Sequence, residues 1–291
     1  MVDGALIDKL KRAASRRSVL TAGLAGAAAL TGLAGASRPA RADTLAEVKK
    51  RGELVCATEM EFAPFDFLVN KVYTGVDRDL IDEVGKDLGV KVSYLDLPWT
   101  SVLPGLEARK FDFVIAPVTI TAERLKRYSF TVPIAEATVA LMKRKNDSSI
   151  TKPEDIAGKT VGAQKGTAQL AQLQEFAKTL PKPVNVKEYV DNNQAYADLA
   201  AGRTDAAVGS YPNLAYAAAQ RADAFAMVMP PFGKPTYFSW VGRLGDEDRS
   251  LTDAISASLV KMQDDGRMAA IQKKWFGAAS PLPKTVPAPQ V

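Results

Sequence analysis

The sequence contains no histidine and a single cysteine. Without His there is no Ser-His-Asp triad, no imidazole metal ligand and no ordinary proton carrier for neutral pH. One cysteine closes no internal disulfide. Cys56 sits in the apolar run Leu54-Val55-Cys56-Ala57, which reads as a buried thiol rather than a nucleophile. Phosphate-binding loops are missing too. Gly158, Gly162 and Gly166 do not match a dinucleotide fingerprint, and Lys165-Gly166-Thr167 lacks the order of a P-loop. No solenoid repeat is visible. The positive charge of the whole chain is also misleading. Residues 1–42 hold seven Lys/Arg and two acids; removing them from the totals of 38 and 33 leaves 31 of each. A nucleic-acid binder needs a lasting positive surface, so no nucleic-acid partner is expected. No cofactor or metal ligand set is expected either.

Residues 1–42 read as an export leader. Ser15-Arg16-Arg17-Ser18-Val19-Leu20 looks like a twin-arginine motif, and a weakly apolar Ala/Gly/Leu run follows over 19–36. That run is short and Gly/Ala-rich for a membrane span, and no later stretch is long enough to cross a bilayer. Ala40-Arg41-Ala42 fits small-x-small cleavage, which puts the expected start at Asp43 and the location in the periplasm.

Beyond the leader, strand-like runs alternate with helical stripes, the pattern of an α/β fold with parallel pairing. Strands are expected at 91–97, 113–116, 138–143, 160–163, 186–189, 206–209 and 225–229. Leu80, Val84 and Leu88 recur at helical spacing and stop at Gly89; Leu251, Ile255, Leu259 and Met262 do the same and stop at Gly266. Two composition breaks divide the chain. One is the polar stretch 143–149. The other is Pro230-Pro231-Phe232-Gly233-Lys234-Pro235, which continues neither a helix nor a central strand. The expected layout is a discontinuous lobe I (43–143 and 236–277), an inserted lobe II (144–235) and a disordered Pro-rich tail (278–291). Entry and exit through two extended segments make a double-stranded hinge.

The segment 110–130, KFDFVIAPVTITAERLKRYSF, is the most informative. An apolar strand ends at Pro117, Thr119 and Thr121 follow, and Thr121 is placed to cap a short helix carrying Arg124 in its first turn. A helix N-terminus favours anions, so a cation there does not serve helix stability. A guanidinium beside free N–H groups and two hydroxyls suits a carboxylate. An ion pair with a surface acid is the competing reading, and the local residues favour neither.

TITAER followed by YSFTVP resembles the signature of the bacterial extracellular solute-binding proteins, family 3, the polar amino-acid type that serves ABC importers. ELVCATEMEFAPFDF, YTGVDRDLIDEVGKDLGVKV, LPWTSVLPGLEARKFDFVIA, IAGKTVGAQKGTAQ, LAAGRTDAAVGS and QKKWFG match in the same order, over roughly 45–277. The resemblance implies the two-lobe periplasmic binding protein type II fold. It implies that Arg124 grips a ligand carboxylate with Thr119, that Pro117 offers a carbonyl to the ligand amine, and that Thr167 completes the cradle from the opposite lobe with Gln164 nearby. Phe62 and Trp99 match the aromatic positions that sandwich the ligand, against a plain core role. Glu59 aligns with the acid that faces a distal amine in binders of basic amino acids; a solvated loop carboxylate is its rival. Ser210 stands where the family carries the Asp that holds the α-ammonium, and Glu59 or Asp191 is left to compensate unless the ligand lacks that group.

The function expected from this resemblance is capture of a small carboxylate, an amino acid or related amine, by a monomer that presents it to ABC permease subunits. It is not expected to be an enzyme. The alternatives are a prephenate- or arogenate-dehydratase-like enzyme on the same scaffold, with Glu59 or Asp191 (Lys165 third) as general acid, and a ligand-sensing module.

Overall fold

The computed structural model describes residues 43–291; the leader and its twin-arginine motif lie outside the described residues. Two separate β-sheets organise the chain. The first has the order Lys91–Asp96, Glu53–Thr58, Phe113–Thr119, Tyr237–Arg243, Tyr128–Phe130. Its first three strands run parallel and Tyr237–Arg243 returns antiparallel. The second has the order Asn185–Tyr189, Thr160–Gln164, Ala206–Ser210, Val139–Arg144, Phe225–Val228, again with three parallel strands and an antiparallel return.

The strands follow from their residues. Sheets covered on both faces are built from near-continuous apolar runs, and Phe113–Thr119 is buried at every position. Its side chains alternate between two cores: Phe113 and Ile115 enter one, Val114, Ala116 and Val118 the other. In the second sheet Val139 and Leu141 face one core, Ala140 and Met142 the other. Two expected helices close the first core. Leu80 and Val84 of Val76–Leu88 are fully buried, and so are Ile255, Leu259 and Met262 of Asp246–Asp265. Gly89 and Gly266 terminate these helices with left-handed φ of 70° and 88°. Cys56 is a buried free thiol.

The strand Val139–Arg144 lies in the second sheet, where Val208 is paired with Leu141 and Met227 with Met142. The expected boundary at residue 143 would cut it. The polar stretch after it is a surface turn, so the change of composition marks the end of a strand rather than a passage between lobes. The passage comes earlier. Ala137 N–H donates to Thr236 O (2.8 Å), and Glu136 pairs with Tyr237, so the outgoing and returning segments run side by side. The tail also differs from expectation. It has no regular element, yet Leu282 packs on the first core, Ser280 N–H donates to Gln272 Oε1 (3.0 Å) and Ala122 N–H donates to Val291 O (2.9 Å). Proline has little conformational freedom to lose, which makes such docking less costly.

One buried polar pair belongs to this core. Asp66 and Asp77 are fully buried beneath the hairpin Asp66–Val69/Val72–Thr74. Tyr73 O–H donates to Asp66 Oδ1 (2.5 Å) and Trp240 Nε1–H to Asp77 Oδ1 (3.1 Å). Burial raises both carboxyls above their ordinary range.

Candidate functional site

The carboxyl ends of the parallel strands of both sheets face a common cavity, the usual ligand location in open α/β sheets. Glu59 follows the end of Glu53–Thr58, Trp99 opens the helix after Lys91–Asp96, Thr119 ends Phe113–Thr119, and Gln164 ends Thr160–Gln164. The cavity brings together eight of the nine expected residues: Glu59, Phe62, Trp99, Pro117, Thr119, Arg124, Gln164 and Thr167.

Arg124 is held from both sides. Thr121 caps its short helix by accepting from Arg124 N–H (3.2 Å). The guanidinium donates from Nη1 to Thr119 O and from Nη2 to Gly166 O, both at 3.3 Å, and lies 5.4 Å from the Trp99 ring centre. It is half-buried, and among the described residues it forms no ion pair. Desolvation lowers it to about 10. A guanidinium has five N–H donors, and carbonyls occupy two of them here. The site therefore holds an uncompensated cation.

Thr167 caps the helix Ala168–Ala177, accepting from Leu170 N–H (3.1 Å) and donating to Gln164 O (2.8 Å). Capping and presentation of a helix N-terminus to an anion coincide here. Thr119 is buried, and its hydroxyl accepts from Gln169 Nε2 (3.3 Å).

Glu59 is the acid of the cavity, 6% exposed. Gln164 Nε2 donates to both of its oxygens (2.7 and 2.8 Å), and the Trp99 backbone N–H donates as well. Burial outweighs these bonds and pushes the carboxyl up to about 7, helped by the charges of Asp191 and Asp66. It is not a solvated loop carboxylate. Gln164 is fixed in turn by Asn192, whose Nδ2 donates to its Oε1 (3.1 Å). Asp191 does not line the cavity. It caps Asn192–Ala200, accepting from Gln194 N–H (2.9 Å) and Gln194 Nε2 (2.6 Å). Lys165 is exposed.

Ser210 is the expected site residue that the structure leaves outside. It is 1% exposed and hydrogen-bonded to Asn213 Oδ1, turned into its own lobe. Four lining residues were not anticipated, Ala116, Ala168, Gln169 and Phe238. Phe238 stacks edge-on against Phe62 and Phe65 at 6.0 and 5.4 Å. Its place depends on antiparallel pairing of Tyr237–Arg243 with Phe113–Thr119, across more than a hundred residues, for which no local signal exists. Gln169 lies two residues beyond Thr167 in the first turn of the same helix, where i and i+2 point to different faces, so helix periodicity gave no signal for it.

The lobes meet directly across the cavity. Trp99 Nε1–H donates to Gly166 O (3.0 Å), Gln164 reaches Glu59, Gln169 reaches Thr119, and Asn213 Nδ2 donates to Ala63 O (2.8 Å). The space left between the lining residues, partly open to solvent, is about 20 Å³, room for about one water. This is a closed cleft, and a ligand enters only after it opens.

Residues 54–278 match the sequence profile of the bacterial extracellular solute-binding proteins, family 3. The chain belongs to that family. This solute-binding protein is 33% identical over 260 residues to the L-cystine-binding protein TcyJ of Escherichia coli (strain K12), covering 88% of this chain and 95% of that one. It is 28% identical over 233 residues to the histidine-binding periplasmic protein of the same organism, covering 75% and 85%. Among solved structures, the P235GK mutant of ArgBP from T. maritima superposes with a TM-score of 0.74 at 27% identity, over 80% of this chain and 99% of that one. The ancestral amino acid-binding protein AncCDT-1, a precursor of cyclohexadienyl dehydratase, gives 0.72 at 33% identity, over 81% and 100%. The two-lobe type II fold of the solute-binding protein agrees with these neighbours. Among its described residues no helix is long and apolar enough to cross a membrane, and no cluster of His, Cys, Asp and Glu could hold a metal ion.

Proposed function

We propose that this solute-binding protein captures a small carboxylate, an amino acid or related amine, and delivers it to the permease of an ABC importer. Residues 1–42 act as the export leader, by the twin-arginine route, and the protein works as a periplasmic monomer. Lobe I comprises the residues from 43 to the hinge segment near 137 together with 236–277, and lobe II the residues between them. The ligands in the names of the relatives, cystine and histidine, support an amino-acid-like ligand. The ligand residues carry over as the resemblance implies: Arg124, Thr119 and Thr167 on the carboxylate, Pro117 through its carbonyl, Phe62 and Trp99 on the ligand body, Glu59 and Gln164 on its polar end. Ser210, turned away, has no direct part.

Binding is coupled to closure. Arg124 and Thr119 sit on one side of the cavity, Thr167 and Gln164 on the other, so a ligand contacts both sets only in the closed state. Differential contact of this kind shifts the open–closed population. The observation that carries the reading is Arg124: a desolvated guanidinium, without a carboxylate partner among the described residues, beside a second helix N-terminus.

A thermal-shift screen with amino acids, amines and non-amino carboxylates tests it. A ligand at a hundred times its Kd adds about 2.7 kcal/mol, on the order of 5–10 °C for a protein of this size. Arg124→Ala is expected to abolish that shift. A dehydratase reading is favoured by one observation, a cavity carboxyl near neutrality (Glu59) that could protonate a leaving hydroxyl. Turnover of prephenate would decide for it.

A further inference from the structure

We infer that the ligand of this cleft carries its carboxylate and its cationic nitrogen well apart and has no α-ammonium, as in an ω-amino or ω-guanidino carboxylic acid, with the carboxylate on Arg124 and the nitrogen on Glu59. This rests on the reading of the cleft as a carboxylate site.

Charge comes first. Among the described residues lining the cavity, Arg124 is the only cation and Glu59 the only acid. Trp99 separates them. Its backbone N–H, at the start of its helix, donates to Glu59, while its indole ring lies against Arg124 and its Nε1–H points to the same Gly166 carbonyl that Arg124 reaches. The two charges therefore lie toward opposite ends of one tryptophan. An α-ammonium is two bonds from its carboxylate carbon. Gripped by Arg124, an α-amino acid leaves its ammonium at the Arg124 end, beside a like charge and away from Glu59.

That end holds no carboxylate to receive it. Thr119 O and Gly166 O already accept from Arg124, and the Thr119 hydroxyl accepts from Gln169. Pro117 offers a carbonyl but no charge. Ser210 is buried in its own lobe and bonded to Asn213. Closing a cleft over an ammonium with neutral acceptors alone is costly.

The Glu59 end is built for a nitrogen donor. Both carboxylate oxygens already receive an amide NH₂ from Gln164, and an ionised carboxylate has about four acceptor positions. A primary ammonium or guanidinium presents the same N–H groups with a full charge. Between the two ends the lining is Phe62, Phe238 and Trp99, which suits a methylene spacer and, near Glu59, a cation against aromatic rings.

The test is calorimetric titration of the full chain with matched pairs. The ω-series is 4-aminobutanoate, 5-aminopentanoate, 6-aminohexanoate and 5-guanidinopentanoate. The α-series is 2,4-diaminobutanoate, ornithine, lysine and arginine; hexanoate is the uncharged-tail control. The best ω-compound is expected to bind about tenfold or more tightly than its α-amino partner and than hexanoate. Glu59→Gln should erase the advantage over hexanoate, with the ω-compounds losing about tenfold more affinity than hexanoate does. If an α-amino acid binds as well as its ω-partner, or if hexanoate matches the ω-series, the inference falls and the carboxylate reading stands. If no carboxylate in any series binds, both fall.

Discussion

Replacing Arg124 by Met separates a ligand-binding arginine from a structural one, because the two readings give opposite signs for stability. In the closed cleft desolvation depresses the guanidinium below its ordinary value, to about 10. That shift bounds the penalty on the charged form at about 3 kcal/mol. The side chain is only partly buried, so solvent screening reduces the figure. Two hydrogen bonds to the Thr119 and Gly166 carbonyls and the contact with the Trp99 ring return part of the rest. The net cost of holding the charge without an anion is about 1 kcal/mol. Methionine keeps most of the apolar stem and removes the charge. The ligand-free variant should therefore melt about 2–4 °C above the parent. Binding should move the other way, because truncating one partner of a desolvated charge pair costs about 2–5 kcal/mol, roughly 30- to 5000-fold in Kd. Thermal denaturation without ligand, followed by titration, reads both quantities. A variant that melts several degrees lower and keeps its affinity would refute the reasoning, since Arg124 would then be bracing the fold.

Two further changes test the scaffold around the site. Gly75 has φ 135°, and a Cβ there would lie 1.9 Å from the Phe65 carbonyl oxygen, a backbone atom with no room to yield. Gly75→Ala should cost more than about 3 kcal/mol in chemical denaturation and weaken ligand binding through the displaced Phe62–Phe65 turn; a loss under about 1 kcal/mol would show that the turn is compliant. For the buried pair, burial raises Asp66 above its ordinary 3.8, to about 7. A raised carboxyl contributes stability that is complete below the unfolded value and is lost as pH rises through the folded one. Stability should thus decline between about pH 4 and 7. Asp66→Asn keeps the acceptor for Tyr73 and cannot ionise, so denaturation midpoints across that range should fall less steeply, with the remaining slope left to Asp77 and Glu59; an unchanged slope would place the linkage elsewhere.

Much of this molecule is written locally in its residues. The continuous apolar run that begins Phe113–Thr119, the Leu80/Val84 stripe ended by Gly89, and Thr121 and Thr167 as helix caps are each decided within a few positions, where sterics and hydrogen bonding act on near neighbours. Eight of the nine expected site residues converge on one cavity because each stands at or near the end of an element whose type was already legible. What the tertiary structure decided is contact between distant segments. It brought in Phe238 on a returning strand, assigned Val139–Arg144 to the second sheet and docked a proline-rich tail against the first core. The strength of the site was decided there as well. Glu59 near neutrality and Arg124 depressed to about 10 reflect how much water two closing lobes exclude, and that depends on every neighbour in space rather than on the order of residues along the chain.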